Sequence, residues 1–201
     1  MNTTNTVFEV TFEPTPNEQS MKFNIKKQNS AQSLTADMSG AKPLSPTPSE
    51  YRSIQEASNS PLARKLFGFP WTEAVYIGPD FITITKQDWV EWKTLAEPLA
   101  GLIGEHLESG EPVVISAAQT TASAADSPEV QLIKKILNEE IRPEVALHGG
   151  DIVFHKYENR TVYVYMQGAC SGCASSTYTL RMGVETRLKS ALPEIEAVEA
   201  I

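Results

Sequence analysis

The sequence predicts an α+β protein made of two small α/β domains joined by a flexible linker. Three observations predict it. Short runs of alternating apolar and polar residues are interleaved with runs that repeat every three or four residues, the periods of strand and helix. Ser127-Pro128-Glu129 gives a sharp helix-start signal in mid-chain. Just before it, Ser116 to Asp126 carries no large apolar side chain and no periodicity. A chain of 201 residues suits one large domain or two small ones. The pattern divides it into domains at 1–115 and 128–201 with a linker at 116–127. Eleven flexible residues span about 18 Å, enough for the domains to reorient while staying close.

In the first domain, Val7 to Phe12 and Met21 to Ile25 read as strands around a Pro14-Thr15-Pro16-Asn17 turn. Residues 28–50 are rich in Ser, Thr, Ala and Pro, with a turn at Ser39-Gly40, and read as an irregular excursion. Ser53 to Leu66 reads as helical, with Ile54, Ala57, Leu62 and Leu66 on its apolar side. Pro61 must split that run or start a second helix, because proline lacks the N–H and crowds the preceding turn. Val75-Tyr76-Ile77 and Phe81 to Thr85 form a hairpin across Gly78-Pro79-Asp80. Asp88 to Glu108 repeats Trp89, Trp92, Leu95, Leu99, Leu102 and Ile103 at helical steps, with a break or kink expected at Pro98.

In the second domain, Ser127 serves as N-cap, Pro128 fits the first helical position, and Glu129 complements the helix dipole. Val130, Ile133, Leu137, Ile141 and Val145 mark the buried stripe, with Pro143 bending or ending the run. His148-Gly149-Gly150-Asp151 stops it, since glycine tolerates the left-handed conformation that closes many helices. Ile152 to Tyr157 alternates loosely and Val162 to Met166 cleanly, about a Glu158-Asn159-Arg160 turn. A small-residue loop at 168–174 leads to a helix at 174–191 with Thr177, Leu180, Val184 and Leu188 inward. Pro193 ends it, and Ile195 to Ile201 returns as a short strand. The order is helix, strand, strand, loop, helix, strand.

Composition excludes several classes. A net charge of −8 argues against nucleic acid as the main partner, which needs clustered Lys and Arg. Lys26-Lys27 and Lys134-Lys135 read as solvated surface pairs. No apolar run approaches the about 18 residues of a transmembrane helix, and the first residues show neither a secretory signal nor an Arg-rich transit pattern. Two cysteines three apart cannot staple a secreted scaffold. The expected compartment is the cytoplasm.

Those cysteines, Cys170 and Cys173, are the only thiols, and they lie in Gly168-Ala169-Cys170-Ser171-Gly172-Cys173-Ala174. Thiolates spaced C-x-x-C can chelate a soft metal or close a disulfide. They supply only half of the four ligands that zinc or an iron–sulfur cluster takes. Cys173 falls at the start of a helix, where free N–H groups favour negative charge. Small neighbours let the backbone approach and hydrogen-bond to cluster sulfides. A redox dithiol also places C-x-x-C after a strand, but here no aromatic flanks Cys170, no proline separates the cysteines, and two adjacent strands precede the loop. Structural zinc needs two further ligands, and His148 and His155 lack ligand-pair spacing. Two incidental buried cysteines would be the plainest reading, yet a Gly-Ala-Cys-Ser-Gly-Cys segment packs little. The spacing alone selects soft-metal or redox chemistry without choosing between them.

Several segments resemble a known family. Ile141-Arg142-Pro143, Gly149-Gly150-Asp151-Ile152, Met166 to Cys173, Ser175-Ser176-Thr177, Leu180, Gly183-Val184-Glu185 and Pro193-Glu194 are similar to the C-terminal domain of NifU and the Nfu-type iron–sulfur scaffold or carrier proteins. Thr15-Pro16-Asn17, Ser20 to Phe23, Ser60 to Ala63, Lys65-Leu66-Phe67, Asp80 to Lys86 and Trp89 resemble the Nfu N-terminal domain. The resemblance implies that Cys170 and Cys173 each donate a thiolate to a cluster, [4Fe–4S] rather than [2Fe–2S], bridging a homodimer. It implies transfer to apo iron–sulfur enzymes by ligand exchange, loading from upstream assembly proteins, no covalent catalysis, and no nucleic-acid or membrane partner. Thiol–disulfide oxidoreduction is the alternative. Three residues depart from the family pattern: Ala174 and Glu18 stand where proline is common, and Leu147-His148 where acidic residues are usual. The first implies a less constrained cysteine loop; none removes a ligand.

Overall fold

The computed structural model describes residues 7–28, 43–45, 47–115, 126–171 and 174–201. The expected turn at Ser39-Gly40 and nearly all of the expected linker lie outside these. Apart from Thr15–Asn17, residues up to 117 form one compact unit and those from 118 onward a second.

The first unit is an antiparallel sheet with helices against it. β1 (Val7–Pro14) and β2 (Ser20–Gln28) form the expected hairpin, and β4 (Thr72–Ile77) and β5 (Phe81–Lys86) form the other. A short β3 (Ser49–Tyr51), absent from the sequence reading, pairs with β4. The strand order is β1-β2-β5-β4-β3. β5 is central and buried at all six positions, with Ile82 opposite Phe23 and Ile84 opposite Val75. A strand covered on both faces loses the alternation that marks a half-exposed one.

Pro61 starts a second helix. A 3-10 turn at Glu56–Asn59 ends at Ser60, and α1 (Pro61–Leu66) follows with proline in its first turn. The fully buried Ser60 hydroxyl accepts from the Ala63 N–H and donates to the Val113 carbonyl at 2.6 Å. Ala57, Leu62 and Leu66 are buried, but Ile54 is exposed, because it precedes the first helical residue and stands outside the stripe. The same correction applies to Trp89. α2 (Trp92–Glu108) begins after an extended Glu91, so Trp89 lies upstream of the helix and is 65% exposed. α2 runs through Pro98 without ending. Pro98 and Thr94 lie on the exposed side, where the carbonyl deprived of a donor faces water.

The second unit follows the expected order. Ser127 caps α3 (Pro128–Ile136) through the Val130 N–H. Pro143 does not end the run. Instead Leu137–Ile141 widens into a π-helical turn and the chain continues as α4 (Arg142–Leu147). The stripe Ile133, Leu137, Ile141 and Val145 advances in fours, which drifts about 40° per step on a helix of 3.6 residues per turn. The wider turn absorbs that drift, and all four side chains are buried.

α4 closes at Gly149, whose φ is +76°. β6 (Gly150–Glu158) and β7 (Thr161–Gly168) pair antiparallel across Asn159 and Arg160, both at positive φ as a two-residue hairpin requires. A bulge between Phe154 and Lys156 explains the loose alternation of β6. α5 (Ala174–Ala191) places Val184 and Leu188 in the core with Leu180 packed against it; the Thr177 side chain lies outside the described residues. β8 (Ala197–Ala200) pairs parallel with β7, and the Glu185 carboxylate accepts its Val198 N–H. Leu188 is fully buried at the centre of this core. Leu188→Ala is expected to lower the unfolding free energy of this unit by about 2–5 kcal/mol in denaturant titration.

Candidate cluster-binding loop

β7 ends at Gly168 with φ +64°, a left-handed residue that turns the chain into the cysteine loop. The next N–H, Ala169, donates to the Gly149 carbonyl at 3.0 Å, so the loop is pinned to the helix-closing glycine. Ser171 folds back on the strand end. Its N–H and its hydroxyl both donate to the Gly168 carbonyl, at 3.1 and 2.8 Å. Cys170 is therefore held at a fixed place between two hydrogen-bonded turns. Cys173 lies outside the described residues, and α5 begins at the residue after it.

The sulfur of Cys170 sits directly over Gly150. A Cβ added at Gly150 would lie far inside van der Waals contact with Cys170 Sγ and 3.1 Å from its Cβ. Gly150 opposes Gly168 in the β6–β7 register, so two residues without side chains leave the space that the thiol fills. Cys170 is 9% exposed and packs with Ile141, Val145, Ile152 and Val184. Ile141, Glu144, Val145, His148, Leu180 and Arg187 border a hollow beside it.

Next to Gly150, Asp151 is 3% exposed and accepts both arms of the Arg142 guanidinium. Nε donates to Oδ1 and Nη2 to Oδ2, each at 2.7 Å. Oδ1 also accepts the Ile152 N–H at 2.8 Å, and Arg142 reaches back to Asn138. This planar two-bond fork is the strongest form a carboxylate pair takes. The sequence reading missed it. Arg142 and Asp151 are nine positions apart across a helix end, and only the chain reversal at Gly149 brings them together.

Burial pushes the Cys170 thiol up to about 11, with the nearby Asp151 charge adding to the effect. The thiol is therefore protonated at neutral pH, and a metal that takes it must displace the proton. His148 borders the hollow, whereas His155 packs at a tilt against Tyr165 with ring centroids 4.9 Å apart. Among the described residues no three His, Cys, Asp or Glu side chains converge as a metal site.

Two outcomes follow from this seating. The folded thiol keeps its proton above the ordinary value of 9.0, so its contribution to stability is complete below pH 9 and disappears as pH rises toward 11. The loss should be about 2–3 kcal/mol, at 1.36 kcal/mol per pKa unit. Denaturant titration of the metal-free protein between pH 8 and pH 11 should show it, and Cys170→Ala should flatten that part of the profile. Gly150→Ala should displace the sulfur, and faster thiol alkylation at neutral pH is its measurable sign.

Comparison with known proteins agrees with this architecture. Residues 133–199 match the model of the NifU-like domain, and residues 10–110 match that of the scaffold protein Nfu/NifU N terminal. A Drosophila willistoni protein named NFU1 iron-sulfur cluster scaffold homolog, mitochondrial, is 36% identical over 93% of this chain and 61% of its own length. Its namesake in Drosophila sechellia is 42% identical over 72% of this chain and 52% of its own. The chain thus spans roughly half to three-fifths of the curated relatives it matches. A solution structure of a NifU-like protein from Saccharomyces cerevisiae covers 58% of this chain and 92% of its own, at 26% identity and a TM-score of 0.42. With its first half matching one domain model and its second half the other, in that order, the chain belongs to the Nfu/NifU family.

Proposed function

We propose that this chain is an iron–sulfur cluster scaffold and carrier. Cys170 and Cys173 each give one thiolate to a [4Fe–4S] cluster, in preference to [2Fe–2S], held between two copies of the chain. The cluster arrives from upstream assembly proteins and leaves to apo iron–sulfur proteins by ligand exchange. The observation that carries the reading is the donor count: the whole chain has two cysteines, three apart. Two copies supply the four thiolates a cluster takes. Shared ligation suits transfer, because an acceptor's thiols can replace one copy's pair while the other still holds the cargo.

The names of the relatives support the scaffold role, and family membership brings the two domains together in one chain. No covalent step on a substrate belongs to this function. Oxidoreduction asks for an accessible, acidified thiol at the first cysteine; Cys170 is buried and shifted the opposite way. The cytoplasm is part of the same proposal, although the curated relatives carry mitochondrial names.

Anaerobic reconstitution with iron and sulfide tests the reading. The expected result is broad visible absorption, a dimer in solution, and about four irons per dimer. Cys170→Ser and Cys173→Ser should each abolish loading. A complete cluster on a single protomer, or loading retained by either variant, would overturn it.

A further inference from the structure

We infer that Arg142 is a positioning residue for the cluster: paired with Asp151, it fixes the floor of the cysteine loop and cancels a buried negative charge beside Cys170. The inference rests on the carrier reading above. Asp151 follows Gly150, the residue on which the Cys170 sulfur rests, and it opposes Gln167 in the strand that leads into the loop. A carboxylate with 3% exposure at that place has little water to screen it.

A cluster ligated by four thiolates is itself anionic, and net charge around it is one of the levers that set its potential and stability. A bare Asp151 would oppose it. The guanidinium meets the carboxylate at two 2.7 Å bonds and is held from behind by Asn138 at 3.1 Å. Its backbone stands where the π-helical turn passes into α4, so the charge is delivered by the same segment whose Ile141 and Val145 pack around the cysteine. Arg142 thus acts through Asp151, as an outer partner of a ligand-bearing loop.

The sign of the effect distinguishes charge compensation from simple bracing. Arg142→Gln, Asp151→Asn and the double variant are made in the full chain and reconstituted anaerobically with iron and sulfide. The midpoint potential and the half-life of the visible chromophore against a ferrous chelator are then measured, alongside thermal melts of the metal-free forms. Arg142→Gln is expected to shorten the half-life about tenfold, the lower end for outer partners of metal ligands, and to move the potential more negative. Asp151→Asn should move both the other way, and the double variant should return close to wild type.

Shifts in the same direction for the two single variants, or no shift in either, would overturn the inference. Should Asp151→Asn fail to fold, Arg142→Lys decides: it keeps the charge without the fork, so a potential near wild type supports compensation and one matching Arg142→Gln refutes it. A wild-type chain that takes up no cluster overturns the carrier reading itself. Normal loading with unmoved variants overturns only the role of Arg142.

Discussion

The contact of the Cys170 sulfur with the bare Cα of Gly150 is the constraint around which the C-terminal unit is arranged. Any side chain at 150 would occupy the volume of the thiol. The two neighbouring positions that turn the chain, Gly149 and Gly168, both sit at positive φ, and a hydrogen bond from Ala169 to Gly149 ties one turn to the other. These three glycines do different work. Gly149 closes a helix, Gly168 ends a strand, and Gly150 makes room. Their joint result is a cysteine buried at a strand end in a defined place, with its proton retained.

That burial sets the chemistry. A thiol raised to about 11 is a poor nucleophile and an inert redox group at neutral pH. In the proposed carrier it becomes a ligand only when a strongly bound cation drives the proton off, so that cluster uptake and proton release would be one event. Metal binding then depends on the electrostatics of the surrounding shell as much as on the sulfur. Here that shell is the Arg142–Asp151 fork, which also fastens the helical segment to β6. The π-helical turn lies immediately before it and holds the apolar stripe in register with the sheet up to the residue that carries the charge.

The N-terminal unit has a separate core around Phe23, Val75, Ile82, Ile84, Leu62, Leu99 and Ile103. It contains neither cysteine. Its internal order comes from burial on both faces of β5 and from Ser60, which caps α1 and holds the Val113 carbonyl at once. The unit carries no thiol.

Sequence alone determined the alternation of β7, the capped start at Ser127, the stop at Gly149, the C-x-x-C spacing and the order of elements in the second domain. Each is a local property, written in periodicity, glycine, proline and cap chemistry within a few neighbouring residues. Ile54 and Trp89 misled because a repeat of three or four extends naturally past the true helix start, and only packing decides where the first turn closes. Pro98 and Pro143 do not end their helices for a related reason: an exposed carbonyl tolerates the lost donor, and a π-helical turn accommodates the proline. Tertiary structure decided what Cys170 is. The seat over Gly150, the apolar wall from Ile141 and Val184, and the guanidinium on Asp151 come from segments far apart in the chain, and a thiol takes its proton affinity from surroundings that no short stretch of sequence contains.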